Sequence, residues 1–113
     1  MQILKDPMDV KALSVLAQNL FGDMVKAVVD IKRDQIALDA TLHADLEHLL
    51  LENGSALENL WGINLFPGLP EEDFIEFESL INIRPLQNNN SLIVKNEATR
   101  QAIRKVVNKW ITC

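Results

Sequence analysis

Apolar residues recur at two different spacings along the chain, and the change of spacing separates predicted helices from predicted strands. Three stretches carry apolar residues three and four apart after a capping residue, the pattern of a helix buried on one face. They are residues 6–22 after Asp6, residues 41–54 after Thr41 and residues 96–113 after Asn96. Gly22 and Gly54 are typical of the residue that follows a helix. The pattern therefore predicts three helices.

Apolar and polar residues alternate over residues 24–40, which is the spacing of strands with one buried face. A two-residue loop at Arg33 and Asp34 would place Ile31 opposite Ile36 and bring the two apolar faces together. That loop contains neither Gly nor Asn, the residues that favour a two-residue turn, so a slightly different loop is an open alternative. The segment predicts a β-hairpin.

A second pair of strands has the clearest alternation in the chain. Residues 59–66 and 74–84 flank the loop "PGLPEED", and pairing Phe66 with Phe74 gives the hairpin one apolar and one polar face. The apolar face holds Trp61, Ile63, Leu65, Ile75, Phe77, Ile81 and Ile83; the polar face holds Gly62, Asn64, Glu76, Glu78, Asn82 and Arg84.

The stretch from residue 46 to residue 60 fits two structures. Its Leu, Glu and Ala residues favour a helix followed by a loop. The Asn53-Gly54 pair is also a typical turn of a β-hairpin. We favour the helix, and the hairpin stays open as the alternative.

Helices that alternate with hairpins predict an α+β fold. We expect a single domain over residues 1–113, with an antiparallel sheet built from two hairpins and packed on one face by two or three helices. A chain of this length can bury a core without disulfides or metals. Trp61 and Trp110 lie on predicted apolar stripes, so we expect them in the core, with a subunit contact as the alternative.

Charge is unevenly distributed, and this narrows the choice of partners. The formal net charge is −5, yet residues 95–113 carry five of the eleven Lys and Arg residues and one of the sixteen Asp and Glu residues. The acidic remainder would repel a phosphate backbone, so no nucleic-acid partner is expected. The basic end can meet the acidic body within one molecule or between two copies.

Cysteine usage and the amino-terminal sequence predict a cytoplasmic protein. Cys113 is the single cysteine, so no intramolecular disulfide and no thiolate cluster can form. The segment "MQILKDPMDV" lacks the pattern of a secretory leader, and no apolar run approaches the roughly 18 residues of a membrane span. We expect no membrane partner and no cofactor.

Four segments together resemble one family. "VVDI", "LHADLEHLLLENGS", "LWGINLFP" and "FESLINIRPLQNNNS" are similar to motifs of small bacterial proteins classed as a domain of unknown function. The resemblance extends over nearly the whole chain, including its length and the order of the motifs. It implies an α+β fold and a bacterial cytoplasmic setting. It implies no activity, cofactor or catalytic residue.

A cluster of amides with one cation lies where the second hairpin ends. Its candidate ligand-binding residues are Asn64, Asn82, Arg84, Gln87 and Asn89. An Arg guanidinium with amides around it can bind a small anionic ligand through a carboxylate or phosphate. Asn residues also adopt turn and left-handed conformations, so loop chemistry is the interpretation that the pattern favours. Arg84 is equally placed to pair with Glu76 or Glu78.

The segment "HADLEH" contains four side chains that bind metals or protons. On a helix His43 and Glu47 share one face, while Asp45 and His48 share another. A metal site requires at least three converging ligands. No metal site is therefore predicted, and since no nucleophile motif is present, no catalytic residue either.

These observations favour a small binding or self-associating domain over an enzyme. The expected partners are a second copy of the chain or a small anionic ligand at Arg84. Two alternatives stay open. One is a small enzyme acting on an anionic metabolite, with Arg84 as clamp and His43 or His48 as acid or base. The other is a module whose basic terminal helix docks on another protein, more weakly as salt increases.

Overall fold

A computed structural model describes residues 1–113. The main sheet contains β1 (Gln2–Ile3), β3 (Val25–Asp30), β4 (Gln35–Leu38), β5 (Leu60–Leu65) and β6 (Ile75–Glu76). All its strands are antiparallel, in the spatial order β1-β4-β3-β5-β6. A separate parallel pair joins β2 (Met8–Asp9) to β7 (Ile111–Thr112).

Four helices complete the fold: α1 (Val10–Leu20), α2 (His43–Glu52), α3 (Glu71–Phe74) and α4 (Glu97–Trp110). None of them is both long enough and apolar enough to cross a membrane. The predicted α+β class, with helices packed on an antiparallel sheet, is confirmed.

Helices cover both faces of the sheet. α1 and α4 share the main core with Val29 and Ile63. α2 packs Leu50 against Val28 and Leu60 on the opposite face. The molecule therefore has three layers, and β5 is buried along its whole length because it lies inside the sheet with helices on either side.

The first hairpin is confirmed with a different register. Val29 lies opposite Ile36, so the loop spans residues 31–34 instead of two residues. The shift equals two positions along the strand, and each side chain therefore keeps its predicted face. The buried carboxylate of Asp30 stabilises the longer loop, because one of its oxygens accepts two backbone N–H groups from it.

The second hairpin is shorter than predicted. Leu65 lies opposite Ile75 in the predicted register, but β6 ends one residue later. The chain then forms 3-10 turns at Leu80–Asn82 and Pro85–Gln87, where a strand to residue 84 was expected. The hydroxyl of Ser79 caps the first turn by accepting the N–H of the residue two positions on, so local side-chain chemistry overrides the alternation.

The helix starts were predicted with mixed success. α1 begins after Asp9, whose carboxylate accepts the N–H of Ala12 at 2.8 Å. The prediction of Asp6 as the cap is therefore wrong. Asn96 is confirmed as the cap of α4, since its side chain accepts the N–H of Thr99 at 2.9 Å.

Residues 46–60 form a helix and then a loop, so the hairpin alternative is wrong. α2 begins at His43 without a side-chain cap, and Thr41 does not cap it. Gly54 follows the helix with a positive φ of 98°, the conformation that favours glycine at a helix end.

Both tryptophans pack as predicted. Trp61 is buried in the main core, and Trp110 is half-buried against it. The indole N–H of Trp110 donates to the backbone C=O of Asp34 at 2.8 Å, which ties α4 to the first hairpin loop.

Candidate functional site

Asn82 takes the place of a missing strand beside β5. Its side-chain amide accepts the N–H of Gly62 at 2.8 Å and donates to the C=O of the same residue at 2.9 Å. It also donates to the C=O of Leu92 at 3.1 Å. Asn82 is fully buried, so these bonds satisfy backbone groups that β6 does not reach.

Asn89 organises the loop that follows. Its side-chain amide donates to the backbone C=O groups of Asn82, Ser91 and Ile93, at 2.8, 3.0 and 3.0 Å. Its side-chain oxygen accepts the N–H of Lys95 at 3.0 Å. Its backbone also pairs with that of Arg84 in both directions. One buried side chain therefore fixes the path of residues 82–95.

The Arg84 guanidinium is buried between this loop, α2 and the segment before β5. Its Nε–H donates to the C=O of Ile81 at 3.2 Å, and a terminal N–H donates to the C=O of Leu57 at 2.8 Å. The other terminal nitrogen lies 3.4 Å from the Glu47 carboxylate. The guanidinium carbon also lies 4.8 Å from the centre of the Trp61 ring.

Burial dominates the electrostatics of the Arg84–Glu47 pair. It lowers the pKa of Arg84 and raises the pKa of Glu47, and in each case their mutual attraction opposes the effect. The acidic partner of Arg84 is Glu47 on α2, so the alternative of a pairing with Glu76 or Glu78 is wrong. Removing one member of such a pair leaves the other buried charge uncompensated.

The other two predicted residues lie in different surroundings. Gln87 is exposed, and its amide donates to the C=O of Glu58 at 3.0 Å. Asn64 is buried on β5, where its amide donates to the Glu76 carboxylate at 2.8 Å and to the C=O of Glu78 at 3.2 Å. The side-chain oxygen of Asn64 has no hydrogen-bond partner. Asn64 thus stands apart from the loop that joins the other four.

Neither imidazole forms a hydrogen bond with Arg84 or its loop. His43 is buried at the start of α2 with its Nε2 at 2.8 Å from the C=O of Ile63. Burial lowers the pKa of His43, and the hydrogen bond to the C=O of Ile63 opposes that shift. His48 is exposed and pairs with Glu52 on its own helix. No group of three or more His, Cys, Asp or Glu side chains converges on a common point.

These contacts give the five predicted residues a structural role in the fold. Asn82, Asn89 and Arg84 are at least nine-tenths buried and bond to the chain itself. That they bind a small anion stays a prediction. The contacts agree with the other interpretation, in which the Asn residues shape the loop.

The same loop also exposes apolar side chains. Its four exposed apolar residues, with their exposed fractions, are Leu80 (77%), Ile83 (45%), Leu86 (102%) and Ile93 (36%). We call these four side chains the 80–93 surface. Sequence reasoning missed it because Ile83 was assigned to the core side of a strand. The available signal was Leu86, an apolar residue in a loop otherwise made of Pro and amides.

A separate cavity lies elsewhere on the molecule. It is a groove of about 730 Å³ between the start of α1, the loop before α3 and the end of α4. Val10, Leu69, Phe74, Val107 and Ile111 form its apolar lining, with Cys113 at the rim. None of the five predicted residues lines it.

The fold and the site define a small three-layer α+β domain whose polar scaffold is turned inward. The family described as "Protein of unknown function (DUF5674)" matches residues 2–110, and the chain belongs to that family. The predicted membership of a family of unknown function is thereby confirmed. Searches of curated proteins and of solved structures gave no match.

Proposed function

We propose that the chain is a self-associating domain and that the 80–93 surface is its interface with a second copy. The proposal rests on one observation: in this segment polar side chains are buried and apolar side chains are exposed. We call this the inversion of polarity. Asn82, Arg84 and Asn89 are buried, while Leu80 is largely exposed and Leu86 is fully exposed. Single exposed leucines are ordinary, but apolar residues gathered on one rigid loop favour a contact surface.

The inward polar network makes this surface rigid before any partner arrives. Asn89 bonds to backbone groups along the whole loop, and Arg84 anchors the loop to α2 through Glu47. A preorganised surface loses less conformational entropy on association than a flexible loop does. The buried cluster around Arg84 therefore supports the interface without touching the partner.

The charged residues beside the 80–93 surface favour a second copy of the chain as its partner. Exposed Glu58 neighbours the loop, because its backbone C=O accepts a hydrogen bond from Gln87, and exposed Lys95 follows Ile93 by two positions. An acidic and a basic residue beside the same surface are complementary to the same two residues of a second copy. Such isologous contacts are the commonest arrangement in homo-oligomers.

The setting we propose for this association is the bacterial cytoplasm. The support is the single cysteine, which suits a reducing compartment, and the resemblance described above.

The experiment is sedimentation velocity over a range of concentrations on the wild type, Leu86→Ser and Leu42→Ser. Leu42 is a matched control because it is 57% exposed and precedes α2. Burying one leucine contributes about 1.5–3 kcal/mol, and a two-fold interface contains it twice. Leu86→Ser should therefore weaken the dimer about 100-fold or more.

The control variant should associate as the wild type does. A wild type that stays monomeric at every concentration would overturn self-association. A Leu86→Ser dimer as tight as the wild-type dimer would overturn the assignment of the surface.

A further inference from the structure

Two arginines of α4 share one aromatic ring on the far side of the molecule from α2. The guanidinium carbons of Arg100 and Arg104 each lie 4.9 Å from the centre of the Phe77 ring. Phe77 itself is buried in the main core, so its ring is a fixed platform. Both arginines are half-buried, and their positions are therefore restricted.

Neither guanidinium has an acidic partner. The ion pairs of the fold involve the amino terminus, His48, Arg84 and Lys109, and no carboxylate lies within 4.0 Å of Arg100 or Arg104. Glu97, one turn earlier on α4, accepts a hydrogen bond from Gln101 instead. The absence of a partner is unexpected in a chain with sixteen acidic and eleven basic residues.

Most hydrogen-bond donors of this pair are free. Arg100 uses its Nε–H for the C=O of Val94 at 2.7 Å, which leaves its two terminal nitrogens. The side chain of Arg104 forms no hydrogen bond within the chain. Because an Arg carries five N–H donors in a planar fork, the pair presents a dense set of donors with two positive charges.

Like charges four residues apart on a helix destabilise it. The Phe77 ring offsets this repulsion by attracting both cations, whose guanidinium carbons each lie 4.9 Å from its centre. An anion bound to both guanidinium groups would offset their repulsion and accept hydrogen bonds from their free N–H groups. The arrangement is therefore suited to an anion with oxygens in several directions and a charge near −2.

We propose that Arg100 and Arg104 form a binding site for a phosphate group, either free phosphate or a phosphomonoester. Arg forks match phosphate oxygens through paired hydrogen bonds, and a tetrahedral group can accept from two forks at once. A planar carboxylate offers oxygens in one plane and a single charge. The site shares no residue with the 80–93 surface and does not depend on self-association.

The test is a titration followed by the guanidinium signals of Arg100 and Arg104 in ¹H–¹⁵N NMR spectra. The probes are inorganic phosphate, glycerol 2-phosphate and malonate, each compared with sodium chloride at equal ionic strength. The variants are Arg104→Gln, Arg104→Lys and the control Lys105→Gln, which removes one exposed charge from the same helix. Thermal unfolding checks that each variant is folded.

The wild type should show saturable shifts of both arginine signals with inorganic phosphate. Arg104→Gln should weaken binding about tenfold or more, and Arg104→Lys should weaken it as well because the fork is lost. Lys105→Gln should bind within about threefold of the wild type. Binding of glycerol 2-phosphate as tight as that of phosphate would assign the site to a phosphomonoester, and weaker binding to free phosphate.

No saturable shift beyond the effect of sodium chloride would overturn the proposal. Equal binding of malonate would overturn the assignment to phosphate. Unchanged binding by folded Arg104→Gln would show that the pair is not the site.

Discussion

The side-chain amide of Asn82 bonds both backbone groups of Gly62, with distances of 2.8 Å to the N–H and 2.9 Å to the C=O. An amide side chain has the same donor and acceptor as a peptide group, so Asn82 continues the sheet for one residue after β6 has ended. The chain can then leave the sheet, and its apolar side chains turn outward. The pair is therefore the point from which the 80–93 surface is built.

Replacing Asn82 by Ala should destabilise the fold by about 2–4 kcal/mol, because two buried backbone groups lose their partner. Urea unfolding measures this difference. Asn90→Ala is the matched control, since Asn90 is exposed and its side chain forms no hydrogen bond, and its effect should stay within about 0.5 kcal/mol. Equal effects of the two variants would show that the hydrogen bonds of Asn82 do not stabilise the fold.

A methyl group at Gly62 should also destabilise the fold. A Cβ there would lie 2.6 Å from Cβ and 2.7 Å from Oγ of Ser79, so Gly62→Ala should cost about 1–3 kcal/mol. Adding Ser79→Gly should restore part of the loss. Gly68→Ala has open space around its Cβ and serves as control in thermal unfolding. No difference between the two Gly→Ala variants would contradict the close approach.

Arg84→Lys should destabilise the fold although the charge is kept. A lysine ammonium cannot reach the carbonyls of Ile81 and Leu57 and the Glu47 carboxylate together. Losing even one such charged hydrogen bond costs about 1.5–3 kcal/mol. Arg33→Lys is the control, because exposed Arg33 bonds the C=O of Asn53 alone. A loss for Arg84→Lys as small as the control's would mean that Arg84 does not anchor the loop.

Stability should fall as the pH drops below about 6.5, the usual pKa of histidine, because of His43. Burial lowers its pKa in the folded state, so the unfolded chain takes up the proton first. The loss can reach about 1.4 kcal/mol per pH unit and ends below the folded-state pKa. Urea unfolding at pH 7.5 and pH 6 should show this slope in the wild type and in His48→Gln. His43→Gln should lack it, and the same slope in that variant would assign it to another group.

Local patterns were sufficient for most elements of the fold. Asn96 caps α4, Gly22 and Gly54 follow helices, and the alternation around Ile63 marks β5. These features depend on neighbours in the sequence. The third layer was not predicted, although consecutive Val28 and Val29 indicated a strand buried on both faces.

The sequence was sufficient to predict which residues form the candidate site, but not which groups they contact. Arg84 and its amides were recognised, but their partners lie far away in the sequence, at Glu47, Leu57 and Gly62. No periodicity links residues so distant. Alternation assigned Ile83 to the core because nothing local showed that Asn82 would replace a strand. The inversion of polarity was therefore visible only in three dimensions.

The most direct test of the 80–93 surface as a self-interface is paramagnetic relaxation between copies. One copy carries a spin label at Asn90→Cys in a Cys113→Ser background, and the other carries ¹³C-labelled leucine methyl groups. We predict broadening of the Leu80 and Leu86 signals and none at Leu42. Broadening confined to Leu42, or no broadening at a concentration where the chain sediments as a dimer, would contradict the account.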